Sequence, residues 1–401
     1  MNRLLEGDVG SGKTVVAAIA MYAVLRAGYQ SVIMAPTQIL AEQHYHTLRT
    51  LFSPLGIRIE LVTGTHKISK LEALHSKPDI LVGTHALLSE SVILDNVGLI
   101  VIDEQQRFGV KQRQLIRQKA QKTKTPHLLT MTATPIPRTV ALTAYGNLSL
   151  SVLHQMPTGR KRVKTWVVPK QKRPSAYEWI REQLNTVHGQ AFIICPLIEE
   201  SETLQTIKAA TKEYEVLRKQ IFPQLHLALL HGRMKATEKT KVLDTFRSGK
   251  VDILVTTPVV EVGIDIPNAT IMLVEAADRF GLSQLHQLRG RVGRGINDSY
   301  CLLFTEIEDE TAITRLKSLE TIYSGPELAE VDLQLRGPGE LFGTKQHGVP
   351  MLKFASFGDT DLIVQVQKAA SEIFKPDPTL ANFPLLRSKL KNYTITGTGQ
   401  D

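Results

Sequence analysis

Gly7-Asp8-Val9-Gly10-Ser11-Gly12-Lys13-Thr14 follows a short apolar run, Leu4-Leu5, and precedes a long apolar-rich one, Val15 to Leu25. A loop with the spacing G-x-x-x-x-G-K-T between a strand and a helix wraps backbone N–H groups around phosphate oxygens and aims a helix N-terminus at them. Its glycines are required because a Cβ would block that close approach. In such a loop the Lys13 ammonium reaches the β and γ phosphates and the Thr14 hydroxyl ligates Mg²⁺. The competing reading is a Gly-rich turn that happens to end in Lys-Thr, and the strand before it and the helix after it argue against that. A bound nucleoside triphosphate is the expectation.

A chain of 401 residues is too long for one ordinary core, so two or more domains are expected. Hydrophobic residues at 42% and charged residues at 22% are ordinary for a water-soluble globular protein. The formal net charge of +9 points toward a polyanionic partner, although a basic enzyme without one has the same balance. Cys195 and Cys301 stand far apart in apolar surroundings, with neither metal-ligand spacing nor a disulfide framework. A reducing cytoplasm is the simplest setting for them. No apolar leader follows Met1 and Arg3, and the longest apolar run ends at Arg26, so neither export nor membrane spanning is expected.

Beyond the loop, a helix closing near Gly28 gives way to Ser31-Val32-Ile33-Met34, a buried strand that ends in Ala35-Pro36-Thr37. The pattern recurs. Ile80-Leu81-Val82 runs into Gly83-Thr84-His85, Leu99 to Ile102 into Asp103-Glu104-Gln105-Gln106, and Leu128 to Met131 into Thr132-Ala133-Thr134. Short continuous apolar strands between helical stretches mean a parallel sheet covered on both faces, with ligands bound beyond the carboxyl ends of the strands. These clusters are therefore expected on the edge that carries the loop. Asp103-Glu104 at such a strand end offers one carboxylate to Mg²⁺ and a second to orient or deprotonate an attacking water. His85 by itself reads more readily as a packed or surface histidine than as a catalytic one.

Gln155 to Arg162, with Pro157, Gly159 and an Arg-Lys-Arg run, breaks the rhythm and is the candidate linker. Strand and helix patterns then restart at Val163 to Val168, Tyr177 to Val187 and Ala191 to Ile194, without a second phosphate loop. A second α/β domain of this kind suits closure over a ligand shared with the first. Gln287-Leu288-Arg289-Gly290-Arg291-Val292-Gly293-Arg294 places three arginines around two glycines, a geometry suited to presenting guanidinium groups to phosphates across a cleft. A basic surface turn is the alternative reading of that segment.

Taken in order, Gly7 to Thr14, Ala35 to Thr37, Gly83 to His85, Asp103 to Gln106 and Thr132 to Pro135 resemble the successive motifs of superfamily two helicases. The strings Asp103 to Val110 and Thr132 to Thr139 narrow the resemblance to the bacterial branch-migration helicase family RecG and its relative Mfd, and Pro157 to Lys161 looks more like RecG. The resemblance implies an α/β chain of two RecA-like P-loop NTPase domains with parallel sheets, residues 1–154 and 163–308, joined by a linker at 155–162. Residues 309–401 then form a small, mostly helical C-terminal element with a translocation hairpin.

The implied chemistry is ATP hydrolysis with Mg²⁺ by a monomeric cytoplasmic motor that moves on duplex or branched DNA in recombination and repair. Thr14 and Asp103 match the metal positions, Glu104 the water-orienting one, and Arg291 and Arg294 the finger positions, with Gln287 beside them. Gly263 and Asp265 match nucleotide-contacting or domain-coupling positions. Thr37, Thr84, His85, Arg233 and Thr256 match positions near the DNA strand, where hydroxyls and amides suit phosphate contacts rather than base reading. Thr132 and Thr134 belong to a coupling motif, while Arg336 and Gln346 match the working residues of the hairpin.

Two departures stand out. Full RecG proteins carry a wedge domain and a base-holding helix upstream, and this chain starts after both. Gln106 stands where the family usually has histidine, and glutamine can donate and accept hydrogen bonds but cannot titrate near neutral pH. An Mfd-type duplex translocase and a weakly active remnant that binds DNA and nucleotide are the competing expectations.

Overall fold

The computed structural model describes residues 1–64, 77–121, 125–135, 149–156, 161–196, 204–258, 266–307, 309–336 and 360–391. Its first sheet has seven strands: β1 (Asn2–Gly7), β2 (Gln30–Met34), β3 (Ile59–Val62), β4 (Ile80–Gly83), β5 (Val97–Asp103), β6 (His127–Thr132) and β7 (Ser149–Leu153). They lie in the order β3-β4-β2-β5-β6-β1-β7, and each pairing is parallel. Around this sheet are α1 (Lys13–Arg26), α2 (Gln38–Phe52) and α3 (Val110–Ala120).

The period-two geometry of a strand sends neighbouring residues to opposite faces, so a strand apolar throughout must be covered twice. β5 shows it: Leu99 and Val101 enter one core with Ile33 and Met21, while Ile100 and Ile102 enter the other with Val32 and Ile116. Full burial of each such side chain is worth about 1.5–3 kcal/mol. α1 is apolar all round, and only Ala17, Ala18 and Met21 are buried on it; Ile19 is 65% exposed. Its apolar run therefore marks a helix of the domain without marking which face is inside.

The second sheet comprises β8 (Lys164–Val168), β9 (Gln190–Ile194), β10 (Leu227–Leu230), β11 (Ile253–Thr256), β12 (Ala269–Val274) and β13 (Tyr300–Phe304). Their order is β10-β11-β9-β12-β13-β8, again with parallel pairing. Helices α4 (Arg173–Val187), α5 (Leu204–Val216), α6 (Ala236–Arg247) and α7 (Leu282–Arg289) connect these strands. On one face Phe192 packs edge-on against Phe246 at 5.1 Å between ring centroids, both fully buried. On the other, Ala191 and Ile193 join Ile180, Leu184 and Phe222.

A hairpin-like pair of helices, α8 (Glu310–Thr321) and α9 (Gly325–Arg336), follows β13. Asp309 caps α8 by accepting from the Ala312 amide at 2.8 Å. Leu316, Leu319 and Leu328 bury this pair in the second domain's core. Helices α10 (Thr360–Phe374) and α11 (Pro384–Lys391) complete the helical C-terminal region. The expected fold, two parallel-sheet α/β domains with a helical C-terminal region, is the one observed. Residues 157–160 of the proposed linker and the expected frayed end at Thr394 to Asp401 lie outside the described residues.

Both tryptophans of the chain, Trp166 and Trp179, lie in the second domain, on β8 and α4. Tryptophan fluorescence during denaturation therefore reports that domain alone. Phe246→Ala should lower its stability by about 3–5 kcal/mol, seen as an earlier fluorescence midpoint in urea.

Candidate active site between two domains

Parallel pairing brings the loop, the acid pair and the threonine motif to one edge. Glu6 stands opposite Thr132, and Asp103 opposite Met131, so the carboxyl ends of β1, β5 and β6 are in line. The loop turns through Gly10 (φ 81°) and Gly12 (φ 95°) into α1, whose first-turn amides lack intrahelical partners. Lys13 Nζ donates to the carbonyls of Gly7 at 2.6 Å and Asp8 at 2.9 Å. Burial pushes this ammonium below its usual pKa, against the opposing charges of Asp103, Glu104 and Asp8. Ser11 Oγ is buried without a hydrogen-bond partner. A phosphate oxygen would meet that orphan hydroxyl, the amides and the ammonium together, so the loop's donors fit a nucleoside triphosphate.

Asp103 is buried at the end of β5. One of its oxygens lies 2.7 Å from His44 Nε2, and the other accepts from the Glu104 amide at 3.0 Å. Burial opposes its ionisation, yet the His44 hydrogen bond and the positive charges of His44 and Lys13 hold its pKa below the usual carboxylate range. Glu104 has the opposite fate: burial, then the Asp103 charge, push its carboxyl up. Two adjacent carboxylates driven apart in this way separate an ionised group from one closer to a neutral-pH proton acceptor. Glu104 sits at φ 50°, ψ 55°, a left-handed backbone that turns the chain sharply after β5.

From Glu104 a chain of hydrogen bonds crosses to the second domain. Gln106 Nε2 donates to Glu104 Oε2 at 2.6 Å and to Thr134 Oγ1 at 2.8 Å, and Thr132 Oγ1 donates back to Gln106 Oε1 at 3.3 Å. Gln287 Nε2, on α7, donates to the same Thr134 oxygen at 2.6 Å. Gln106 thus makes, as an amide, links that need both a donor and an acceptor. Close by, Gly290 follows α7 against the loop, where a Cβ would stand 3.1 Å from Val9 Cβ. Arg291, 5% exposed, is near enough that its charge lowers the pKa of both Lys13 and Glu104. Arg294 lies half-buried after Gly293, whose φ is 76°.

Thr14 is half-buried in the first turn of α1 and offers one hydroxyl beside the carboxylate of Asp103. Among the described residues no cluster of three or more His, Cys, Asp or Glu could hold a metal ion. One carboxylate and one hydroxyl fit Mg²⁺ in the way this ion is commonly held, with substrate phosphates and water completing its shell.

Some expectations need correction. Of the three arginines read as facing phosphates, Arg289 turns inward, 4% exposed, and donates to the carbonyls of Leu319 and Ile322 at 2.7 and 3.0 Å. Thr84 and Thr256 are buried, and their hydroxyls serve the chain itself: Thr84 accepts from the Ala86 amide at 3.4 Å, and Thr256 donates to the Thr257 carbonyl at 2.8 Å. Burial removes both hydroxyls from direct phosphate contact. Thr37, half-buried, caps α2 by accepting from the Leu40 amide at 3.3 Å. His85 and Arg233 are exposed at the carboxyl ends of their sheets. Gly263, Asp265 and Gln346 lie outside the described residues, as does the side chain of Arg336.

The sequence reading missed His44 and His286. His44 lies seven positions beyond the cap Thr37, on the buried side of α2, and a polar residue at a core-facing helical position was the available signal. His286 gave a weaker one, since only contact with another domain makes it functional.

Two parallel-sheet domains sharing one phosphate loop, with an acid pair on one and an arginine turn on the other, define a superfamily two helicase motor. Residues 1–143 match the DEAD/DEAH box helicase family, residues 175–295 the helicase conserved C-terminal domain, and residues 322–396 ATP-dependent DNA helicase RecG, domain 3, C-terminal. ATP-dependent DNA helicase RecG of Synechocystis sp. is 49% identical over 396 residues, covering 97% of this chain and 47% of the relative. A solved structure of RecG bound to a three-way DNA junction superposes with a TM-score of 0.73 at 42% identity, over 92% of this chain and 47% of that one. The chain belongs to the RecG family, and it spans about half the length of the curated relatives it matches. Yeast Dbp5 bound to RNA and ADP BeF3, at 18% identity and a TM-score of 0.60, shares the fold.

Gln106→Ala removes the tie between Glu104 and Thr134 without touching the phosphate loop. ATP affinity should stay within twofold of the parent while the hydrolysis rate falls about tenfold, the size of one net hydrogen bond of roughly 1.4 kcal/mol. Gln106→His should recover most of the rate, measured by steady-state phosphate release.

Proposed function

We propose that this chain is the motor of an ATP-driven DNA translocase that acts on duplex or branched DNA, as its place in the RecG family suggests. The observation that carries the reading is the hydrogen-bond path from Glu104 through Gln106 and Thr134 to Gln287, because it ties the hydrolytic carboxylate to the second domain. Hydrolysis in such a site depends on whether the two domains are closed on each other, and DNA bound across both would control that closure.

In this reading the loop amides, Lys13 and Ser11 hold the triphosphate, and Thr14 with Asp103 would hold Mg²⁺. When bound, the metal neutralises charge that develops between the β and γ phosphates. His44 fixes the Asp103 carboxylate. Glu104, kept from full ionisation by its buried neighbours, orients the attacking water and accepts its proton. Arg291 and Arg294 meet the charge of the transferring phosphoryl group from the opposite wall, a contribution worth about 10³ or more in rate.

DNA would lie along the carboxyl edges of both sheets, where His85 and Arg233 are exposed and Thr37 orders the start of α2. Contacts there are to the phosphate backbone, which suits tracking without base reading. Gly263 and Asp265 are proposed to couple nucleotide to the second domain, and Arg336 and Gln346 to work in the translocation hairpin. The chain is proposed to act as a cytoplasmic monomer in recombination and repair. Among the described residues no helix is long and apolar enough to cross a membrane.

ATPase assays with and without a forked DNA test the reading. Turnover should rise on adding DNA and stop with EDTA, and Glu104→Gln should reduce the DNA-stimulated rate by about 10²–10⁴-fold. Turnover indifferent to both DNA and Glu104→Gln would sink the mechanism.

A further inference from the structure

His286 stands where three parts of the chain meet that hydrolysis itself does not require to touch. Its Nε2 lies 2.8 Å from Asp8 Oδ1 in the phosphate loop, and Arg289 Nη2 lies 2.9 Å from its Nδ1. A guanidinium has donors and no acceptor, so Nδ1 accepts and Nε2 must carry the proton that Asp8 receives as a hydrogen bond. Arg289 therefore fixes the tautomer that His286 shows to the loop.

Arg289 in turn is anchored at the corner between α8 and α9. It donates to the carbonyls of Leu319, Ile322 and Tyr323 at 2.7, 3.0 and 3.3 Å, and its guanidinium lies 5.3 Å from the Tyr323 ring centroid. Arg162, at the start of the second domain, lies 4.9 Å from the same ring. The corner also reaches the loop directly. A Cβ on Gly325, the first residue of α9, would sit 2.6 Å from Asp8 Oδ1 and 3.1 Å from His286 Nε2. His286 and Arg289 are 5% and 4% exposed, so the path is packed from end to end and a shift of Asp8 has no free space to absorb it.

We propose that His286 is a positioning residue that transmits the state of the phosphate loop to the α8–α9 corner, so that nucleotide binding and the setting of the C-terminal element form one coupled equilibrium. The relay rests on the loop's binding a nucleotide, and through that on the motor reading. Coupling of this kind is reciprocal: whatever the nucleotide does to the corner, a change at the corner does to nucleotide affinity by the same factor.

Hydrogen–deuterium exchange of the whole chain, with and without the ATP analogue AMP-PNP, tests the relay without DNA. In the parent, AMP-PNP should change exchange both at the phosphate loop and at amides between Leu319 and Glu330. His286→Phe fills the ring's volume but breaks both hydrogen bonds, so the loop response should stay and the corner response should vanish. His286→Gln retains a donor and an acceptor and should restore part of it. Tyr323→Leu, far from the nucleotide, should shift the AMP-PNP dissociation constant by about fivefold or more, the lower end of usual coupling. It also serves as the deciding variant if tryptophan fluorescence shows His286→Phe to be unfolded. A parent whose corner ignores AMP-PNP, or a His286→Phe corner that responds like the parent's, overturns the relay. So does an unchanged dissociation constant in Tyr323→Leu. DNA-stimulated ATPase of the parent, run in parallel, judges the motor reading separately: a responding corner without DNA stimulation sinks the motor and keeps the relay, and stimulation with a silent corner does the reverse.

Discussion

His286 and Gln287 are consecutive residues on α7, and each reaches a different part of the first domain. One meets Asp8 in the phosphate loop, and the other meets Thr134 beyond β6. Successive helical residues diverge by about 100° around the axis, so a single helical turn can hold both contacts only when α7 lies close over the edge where β1, β5 and β6 end. Gly290 is what permits that approach, because Val9 occupies the space a side chain would need. The site's arginines, its cross-domain hydrogen bonds and the path to the α8–α9 corner all depend on α7 holding this position.

The charges inside the site are arranged by the same closeness. Asp8 would resist ionisation on account of its burial, but His286, Lys13 and Arg289 together hold its carboxyl below the usual range. Asp103 is treated likewise by His44, while Glu104, next in sequence, is pushed the other way. Neighbouring carboxylates thus take separate roles, one as a fixed anion and one as a proton acceptor, because only the first has an imidazole against it. Lys13, with its ammonium turned onto the loop's own carbonyls, is a buried cation whose natural counter-ion is a phosphate.

The sequence by itself determined the fold and the near half of the site. Continuous apolar strands with polar ends have one stable arrangement, a parallel sheet covered on both faces, and the glycine-lysine loop has one chemistry at the edge of such a sheet. These are local patterns, written over a few consecutive residues. The turn of Arg289 into the second domain, the burial of Thr84 and Thr256, and the pairing of His44 with Asp103 were not legible, because the partner in each case is chosen by packing. The contacts of His286 and Gln287 belong to the same class, with 278 and 153 residues between partners. Hydrogen-bond direction and burial depend on what stands within a few ångströms, and only the tertiary structure decides which distant segment that is.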